Sequence, residues 1–273
     1  MVEFWLVLSA IAAGVMNAIA GGGTLLTFPA LTMTMSDVAA NVTSTVALMP
    51  GSLAGAWGYR KQLDECSRWV WLLSIPSLVG GAIGSLLLIV LDPSVFRMVV
   101  PWLVLLAAVL FLLQPRLSGY IQRHRPAGPP SRRSLAVILV CQLFISIYGG
   151  YFGAGIGILM LSSLGFLGLK SIHQMNALKT LLAFGINAIS VVLFIFGGQI
   201  HWRYGIIMAG AAIVGGYFGA RLALLMKPIY VRWIVIVMGF TLAAYFFWKQ
   251  RQPTIENPAV MVTVDIRAAA LCG

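Results

Sequence analysis

Three polar side chains within about one helical turn could bind an anion together. Lys179 lies about seven residues into the apolar segment 172–194, and Asn176 and Thr180 share a helical face next to it. An ammonium, an amide N–H and a hydroxyl all donate hydrogen bonds, which is what an oxyanion requires. An ionisable residue inside a membrane segment is by default a candidate site residue. The sequence therefore predicts that all three residues bind an anion.

Two other roles for Lys179 remain open from the sequence. Its long side chain can carry the ammonium to the membrane interface, because seven residues of helix rise only about 10 Å. Alternatively, the ammonium can bind another buried group of the protein.

The first half of the chain repeats the spacing of these polar residues. Asn41 and Thr45 are also four positions apart, and Ser44 stands where the later segment has its lysine. We predict that this pair belongs to the same anion site, with interhelical hydrogen bonding as the alternative role. Asn17 and Asn187 are further candidates of this kind, for which packing between helices is the preferred interpretation.

The composition indicates what kind of elements carry these residues. Of the 273 residues, 60% are apolar and only 9% are charged, which excludes a soluble globular domain and a disordered chain. Long unbroken apolar runs favour helices over a membrane barrel. We predict an all-α polytopic membrane protein with seven or eight membrane segments. Their apolar stretches are 4–34, 38–58, 69–91, 94–113, 135–168, 173–197, 204–226 and 229–248.

Two of these stretches, the first and the fifth, are too long for one ordinary crossing and are interrupted by glycine. We predict that each is broken into two half-helices or a re-entrant hairpin, because glycine is a poor helix former. A broken helix frees backbone N–H groups that lipid cannot satisfy, and these favour an anion. The predicted binding residues here are Gly21, Gly22, Gly23, Thr24, Gly153, Gly155 and Gly157, and Gly149 and Gly150 precede the second group.

The two halves of the chain align without a gap when one is shifted by 135 residues. Seven of the nineteen positions in 79–97 are then identical, and Asn41 and Thr45 fall on Asn176 and Thr180. We interpret this as an internal duplication. Such halves with matching broken segments are typical of secondary transporters. The predicted divisions are a first repeat over 1–113, a basic cytoplasmic linker over 114–134, a second repeat over 135–250 and a tail over 251–273.

The relative orientation of the two repeats is left open. Four crossings per half would make them parallel, and three crossings with a re-entrant segment would make them inverted. Either arrangement leaves 12 basic residues inside and 5 outside, so the positive-inside rule does not choose between them. The net charge of +11 therefore indicates membrane orientation rather than binding to nucleic acid.

The seven acidic residues all lie at segment ends, in loops or in the tail. A cation carrier, or a proton antiporter with a buried acid, would need a carboxylate within a span. Sodium bound by backbone carbonyls at an unwound turn stays open. The three cysteines are far apart and predict neither a disulfide framework nor a metal site. We predict no cofactor, and we find no acid, base or metal set for an enzyme.

Two sequence runs resemble a known family. Residues 17–29, Asn-Ala-Ile-Ala-Gly-Gly-Gly-Thr-Leu-Leu-Thr-Phe-Pro, followed by 40–45, Ala-Asn-Val-Thr-Ser-Thr, resemble the first half of the TauE/SafE sulfite exporters. Residues 149–157 and 176–180 look like the second repeat, and the resemblance covers about 4–248. It departs at Ile156, Ile158 and Ser162, where the glycine run is diluted and a threonine is replaced.

The resemblance implies a multi-pass inner-membrane permease for sulfite, organosulfonates or other small sulfur-containing anions. Together with the residues above, it predicts a secondary transporter of a small anion that works by alternating access in membrane lipid. A permease for a small carboxylate and a membrane assembly or scaffolding protein are the alternatives. The substrate, direction of transport, coupling ion and oligomeric state stay open.

Overall fold

The structure is a computed structural model that describes residues 2–123, 130–167, 169, 171–224 and 229–251. Its described part is helical and contains no strand, which confirms the predicted class. The helices are α1 (Val2–Ile19), α2 (Thr24–Thr32), α3 (Asp37–Gly58), α4 (Arg60–Asp64), α5 (Ser67–Val90), α6 (Pro93–Arg123), α7 (Arg132–Tyr151), α8 (Ile156–Leu164), α9 (Ile172–Gly197), α10 (Trp202–Ala223) and α11 (Ile229–Arg251), with a 3-10 turn at Gly165–Leu167.

Six helices in the described part of the chain are long and apolar enough to cross a membrane, namely α1, α5, α6, α7, α9 and α10. Helix α3 has 22 residues but carries more polar side chains, and most of them are buried. Because α3 packs between α9 and α10, its polar groups face protein rather than lipid. Large apolar side chains are exposed along α5, α6, α7 and α10, as expected for a surface that contacts acyl chains.

Both predicted interruptions occur. The second falls within the predicted glycine run, after Gly149 and Gly150. Gly149 and Gly150 are inside α7, and the chain leaves helical geometry only at Phe152–Gly155. Phe152 N–H and Gly153 N–H both donate to Tyr148 O, and the helix ends at Tyr151, one residue beyond the glycine pair. The glycine pair instead lets α5 approach closely, because a Cβ on Gly150 would meet the backbone of Gly81.

Both ends of the predicted linker over 114–134 are helical in the structure. Helix α6 continues to Arg123 and α7 begins at Arg132, where the Ser131 hydroxyl accepts from Ser134 N–H at 3.2 Å. Part of the linker, 124–129, and the tail from 252 onward lie outside the described residues.

Helices α1 and α10 run in the same direction. Arg203 donates to Glu3 at 2.6 Å near their first turns. Further along both helices, a Cβ on Gly219 would lie 2.5 Å from Val15 Cα. Helix α3 also runs parallel to α10, because its Thr43 accepts from His201 N–H and its last residues reach the last turn of α10.

Helices α5, α7 and α9 run together in the opposite direction. Gln142 of α7 donates to Ser77 of α5 at 2.9 Å, and Ser85, two turns later in α5, donates to Ser190 of α9 at 2.6 Å. Between α3 and α9 the order reverses, since Gly55 near the end of α3 faces Thr180 near the start of α9. The two halves are therefore inverted relative to each other in the described structure.

Helices α2 and α8 return the chain to the face from which α1 and α7 started. Gly23 lies against Ala13, and Thr27 of α2 and Ser44 of α3 share a hydroxyl hydrogen bond of 2.5 Å. Phe28 then packs on Phe96 at the start of α6. Helix α8 mirrors this path toward the start of α5, so each broken segment is re-entrant.

The two ends of the helix bundle differ in charge. We call the end where α3, α6 and α10 finish the basic face, and the other end the opposite face. Among the residues whose side chains the structure describes, the basic face carries eight cations and the opposite face four. They are Arg60, Lys61, Arg68, Arg116, Arg123, Arg132, Arg133 and Arg221 on the basic face, and Arg97, Arg203, Lys249 and Arg251 on the opposite face.

Candidate functional site

A small polar cavity lies between the two broken segments, and we call it the central cavity. Residues from α1, α2, α3, α7, α8 and α9 surround it, so both halves of the chain contribute. Its lining residues are Asn17, Thr24, Thr45, Leu48, Gly149, Phe152, Gly153, Ile156, Ala183 and Asn187. The space for water centres is about 10 Å³, which is room for roughly one water molecule.

The two interruptions meet beside this cavity. Gly157 N–H donates to Gly21 O at 3.1 Å, and a Cβ on Gly157 would lie 2.7 Å from Ala20 O. Gly21 and Gly153 both have φ of 77°, a conformation that favours glycine. The backbone approach and the positive φ explain why glycine stands at both breaks. Gly155, also at positive φ, packs on α6 instead.

Lys179 is 1% exposed and does not reach a membrane interface. Its Nζ donates to Asn17 O and Ala18 O, each at 3.2 Å. These are among the last carbonyls of α1, which lack partners inside the helix. Of the three roles open from the sequence, the described structure shows a buried partner, and that partner includes a residue that lines the central cavity.

The two Asn-x-x-x-Thr pairs are placed differently with respect to the cavity. Thr45 lines it, and Asn41 lies one turn away with its Nδ2 donating to Tyr151 O at 2.9 Å. Thr180 faces Gly55 instead, and its hydroxyl donates to Asn176 O. The Oδ1 atoms of Asn41 and Asn176 are buried with no hydrogen-bond partner among the described residues.

Asn17 and Asn187, for which packing was the preferred interpretation, both line the central cavity. Asn17 Nδ2 donates to Ser52 Oγ at 2.8 Å, so this side chain also joins α1 to α3. Their only sequence signal is an amide within an apolar helix, which equally indicates interhelical packing. Thr24 lines the cavity too, at the first residue of α2.

The first turn of α2 presents unused donors beside the cavity. Leu25, Leu26 and Thr27 N–H groups donate to Gly22 O or Gly23 O. Among the described residues, the N–H groups of Gly22, Gly23 and Thr24 have no hydrogen-bond acceptor. Free amides at a helix start favour an anion.

A wide cavity of about 770 Å³ opens at the opposite face, and we call it the vestibule. Arg97, His201 and the pair Asp37–Lys249, with Nζ and Oδ1 3.9 Å apart, are among its lining residues. A buried aromatic cluster connects Phe152, which lines the central cavity, with Phe96, the neighbour of the vestibule residue Arg97. Its members are Phe28, Phe96 and Phe152, with ring centroids 5.3 to 6.4 Å apart.

The fold and the cavity define a polytopic helical membrane protein of the transporter class, with two inverted halves that enclose a polar site. The family described as "Sulfite exporter TauE/SafE" matches residues 6–246, and the chain belongs to this family.

Curated relatives carry names of the same kind. The chain is 31% identical over 240 residues to a "Probable membrane transporter protein" of Haemophilus influenzae, covering 87% of this chain and 91% of that one. It is 28% identical over 239 residues to the "Probable membrane transporter protein YfcA" of Escherichia coli K12, covering 86% of each. A Sinorhizobium protein, "Probable membrane transporter protein ORF9", is 25% identical over 242 residues, with 88% and 90% covered. No solved structure matches the chain.

Proposed function

We propose that this membrane transporter carries a small anion by alternating access through the central cavity. The observation that supports this most directly is that the re-entrant segments of two inverted halves touch at Gly21 and Gly157, beside a buried polar cavity. Lipid cannot satisfy the free amides of such segments, so they favour a polar solute or water.

The anion binds at the start of α2 in this proposal. The free N–H groups of Gly22, Gly23 and Thr24 carry the positive end of that half-helix. The hydroxyls of Thr24 and Thr45 add donors to the cavity wall. Lys179 contributes positive charge through its contact with Asn17, whose side chain lines the same cavity. Asn41, Asn176 and Thr180 do not line the central cavity and stay predicted site residues. They would have to move to contact the anion directly.

The central cavity in this conformation is too small for an oxyanion. A sulfite ion has four heavy atoms, whereas the space holds about one water. Binding therefore requires the halves to separate, which is what alternating access does. Parting of Phe28, Phe96 and Phe152 would join the central cavity to the vestibule, so the aromatic cluster serves as the gate on the opposite face.

The substrate class rests on the family. The family's description names sulfite export, and we propose sulfite, an organosulfonate or a related sulfur-containing anion as the cargo. A small carboxylate would satisfy the same donors, since it also presents acceptor oxygens.

We propose the bacterial inner membrane as the location of the protein, with the basic face in the cytoplasm. Eight described cations lie on the basic face and four on the opposite face, so the positive-inside rule puts the basic face in the cytoplasm. The vestibule then opens to the exterior.

The test is an uptake panel in proteoliposomes with sulfite, thiosulfate, an alkyl sulfonate and small carboxylates. Thr24→Val should raise KM for the transported anion about ten- to hundredfold, because a hydrogen bond to a charged group contributes about 1.5–3 kcal/mol. Thr34→Val is the matched control, since that threonine is exposed between α2 and α3.

Two outcomes would contradict the proposal. If the wild type moves no anion while a partner protein co-purifies, the scaffolding role is favoured. If the solute is recovered chemically changed, the protein is an enzyme.

A further inference from the structure

The C-terminal ends of α1 and α7 occupy corresponding positions in the two halves, but their free carbonyl groups have different surroundings. At α1, the ammonium of Lys179 binds Asn17 O and Ala18 O. At the 135-residue offset, the residue matching this lysine is Ser44, whose hydroxyl is bonded to Thr27. The end of α7 therefore has no fixed cation at the matching position. The C-terminal end of a helix carries partial negative charge, which favours a cation.

Asn41 adds an unused acceptor at this end. Its Nδ2 donates to Tyr151 O at 2.9 Å, and its Oδ1 is buried without a partner among the described residues. The reverse amide orientation would bring two acceptor oxygens together, so the hydrogen bond fixes the assignment. The side chain is 1% exposed. A buried carbonyl oxygen without a donor costs free energy, which a bound cation would recover.

The same end of α7 forms one wall of the central cavity. Gly149, Phe152 and Gly153 line it, together with the side chains of Thr24 and Thr45. These groups supply backbone carbonyls and neutral hydroxyl oxygens, the ligands that hard cations prefer. The space fits one water-sized particle, and a dehydrated sodium ion is of that size.

We propose that a sodium ion binds at the C-terminal end of α7, next to Asn41, and is carried together with the anion. This inference rests on the proposed function. The anion at the free amides of α2 and the sodium ion at the carbonyls of α7 then neutralise each other in a cavity of low dielectric. Unwound carbonyls and half-helix ends are a recurring sodium environment in transporters with inverted repeats.

The corresponding end of α1 is excluded as a second sodium site. Asn176 Oδ1 is also buried without a partner among the described residues, but the Lys179 ammonium occupies the neighbouring carbonyls. A fixed positive charge there repels a second cation. Asn176→Ala is therefore the control for sodium affinity, because it removes the same amide at the corresponding position of the other half. Since Asn176 is also a predicted anion-site residue, its KM for the anion is measured separately at saturating sodium, and the sodium dependence is compared at saturating anion.

The experiment measures anion uptake into proteoliposomes with an inward gradient of sodium, potassium or choline, each with and without a pH gradient. Uptake should saturate with sodium and fall at least about tenfold in choline. Asn41→Ala should raise the half-saturating sodium concentration about tenfold, which corresponds to the loss of one ligand. Asn176→Ala should change it less than about twofold.

A second measurement does not depend on transport. Sodium, but not potassium, should raise the unfolding temperature of the detergent-purified wild type and of Asn176→Ala, and the shift should be lost in Asn41→Ala. Equal uptake in sodium and choline, uptake driven by the pH gradient alone, or no sodium-specific shift would each overturn the sodium site. A sodium-specific shift without flux of any anion would keep the site and reject the proposed function.

Discussion

Lys179 is the residue on which the anion hypothesis was built, and the structure gives its ammonium two backbone partners. Asn17 O and Ala18 O belong to the last turn of α1, where carbonyls lack helical donors. The ammonium therefore stabilises the end of α1 just before the break. Because Asn17 also lines the central cavity, the same charge acts on any ion bound there.

Replacing this lysine should affect both stability and transport. Lys179→Met keeps an unbranched side chain but removes the donor to Asn17 O and leaves Ala18 O with the Tyr59 hydroxyl alone, and we expect a loss of about 1–3 kcal/mol in unfolding free energy. Loss of the charge should also weaken anion transport about ten- to hundredfold. Denaturant unfolding and the KM of the transported anion measure the two effects. A folded Lys179→Met protein with unchanged flux for every tested anion would reject the lysine's role in transport.

At the scale of elements, the contact between the two broken segments is the feature that builds the cavity. The backbones of Gly21 and Gly157 are close enough for a hydrogen bond, which only residues without Cβ permit here. Elsewhere, glycines of α5 and α10 let neighbouring helices approach in the same way. Gly216, for example, lies against the backbone of Gly51.

Gly157→Ala should separate the two breaks. The new Cβ would lie 2.7 Å from Ala20 O and 3.1 Å from Gly21 N. Since both are backbone atoms, one of the two broken segments would have to shift. We expect a destabilisation of about 1–3 kcal/mol, as for other overpacked sites. Transport should also fall, because the shift separates the two breaks that frame the central cavity.

The control for this substitution is Gly210→Ala on the exposed side of α10, where nothing lies within 4 Å of the new Cβ. It should be neutral or stabilise by about 0.5–1 kcal/mol, because alanine is the better helix former. Unfolding and flux are compared for both variants. Wild-type flux in Gly157→Ala would show that transport does not need close contact of the breaks.

At the scale of the whole molecule, the inverted arrangement decides which charges share a face. Helices α1, α3 and α10 run opposite to α5, α7 and α9, and each broken segment returns to its starting side. This brings Lys61 and Arg132 to one face and Arg97 and Lys249 to the other.

Labelling of single cysteines tests this topology and its orientation. In a variant without the three native cysteines, Arg203→Cys in the second half should react with a membrane-impermeant maleimide on intact cells, because inverted repeats place Arg203 and Lys61 on opposite faces whereas parallel repeats place them on the same face. Lys61→Cys should react only after permeabilisation, because the positive-inside rule places the basic face in the cytoplasm. Both residues are exposed, so access alone decides the result. Labelling of both cysteines from one side would contradict the inverted arrangement, and the reversed pattern would contradict the orientation.

The sequence by itself determined the class of fold, the interruption of two segments and the polar residues worth examining. Composition and apolar run length suffice for this, because lipid accepts only helices with satisfied backbones or closed barrels. Glycine at Gly21 and Gly153 was informative because a backbone at positive φ is costly for other residues. The second interruption falls within the predicted glycine run, but Gly150 itself stays helical, since glycine within a helix also serves close packing.

Only the tertiary structure decided the direction of the repeats and the partners of the polar groups. Parallel and inverted repeats both leave 12 basic residues inside and 5 outside, so counting charges does not distinguish them. The partner of Lys179 is a pair of backbone carbonyls more than 160 residues away, and no side-chain pattern encodes a carbonyl. Asn17 and Asn187 join one cavity for the same reason, because long-range packing, not spacing, brings them together.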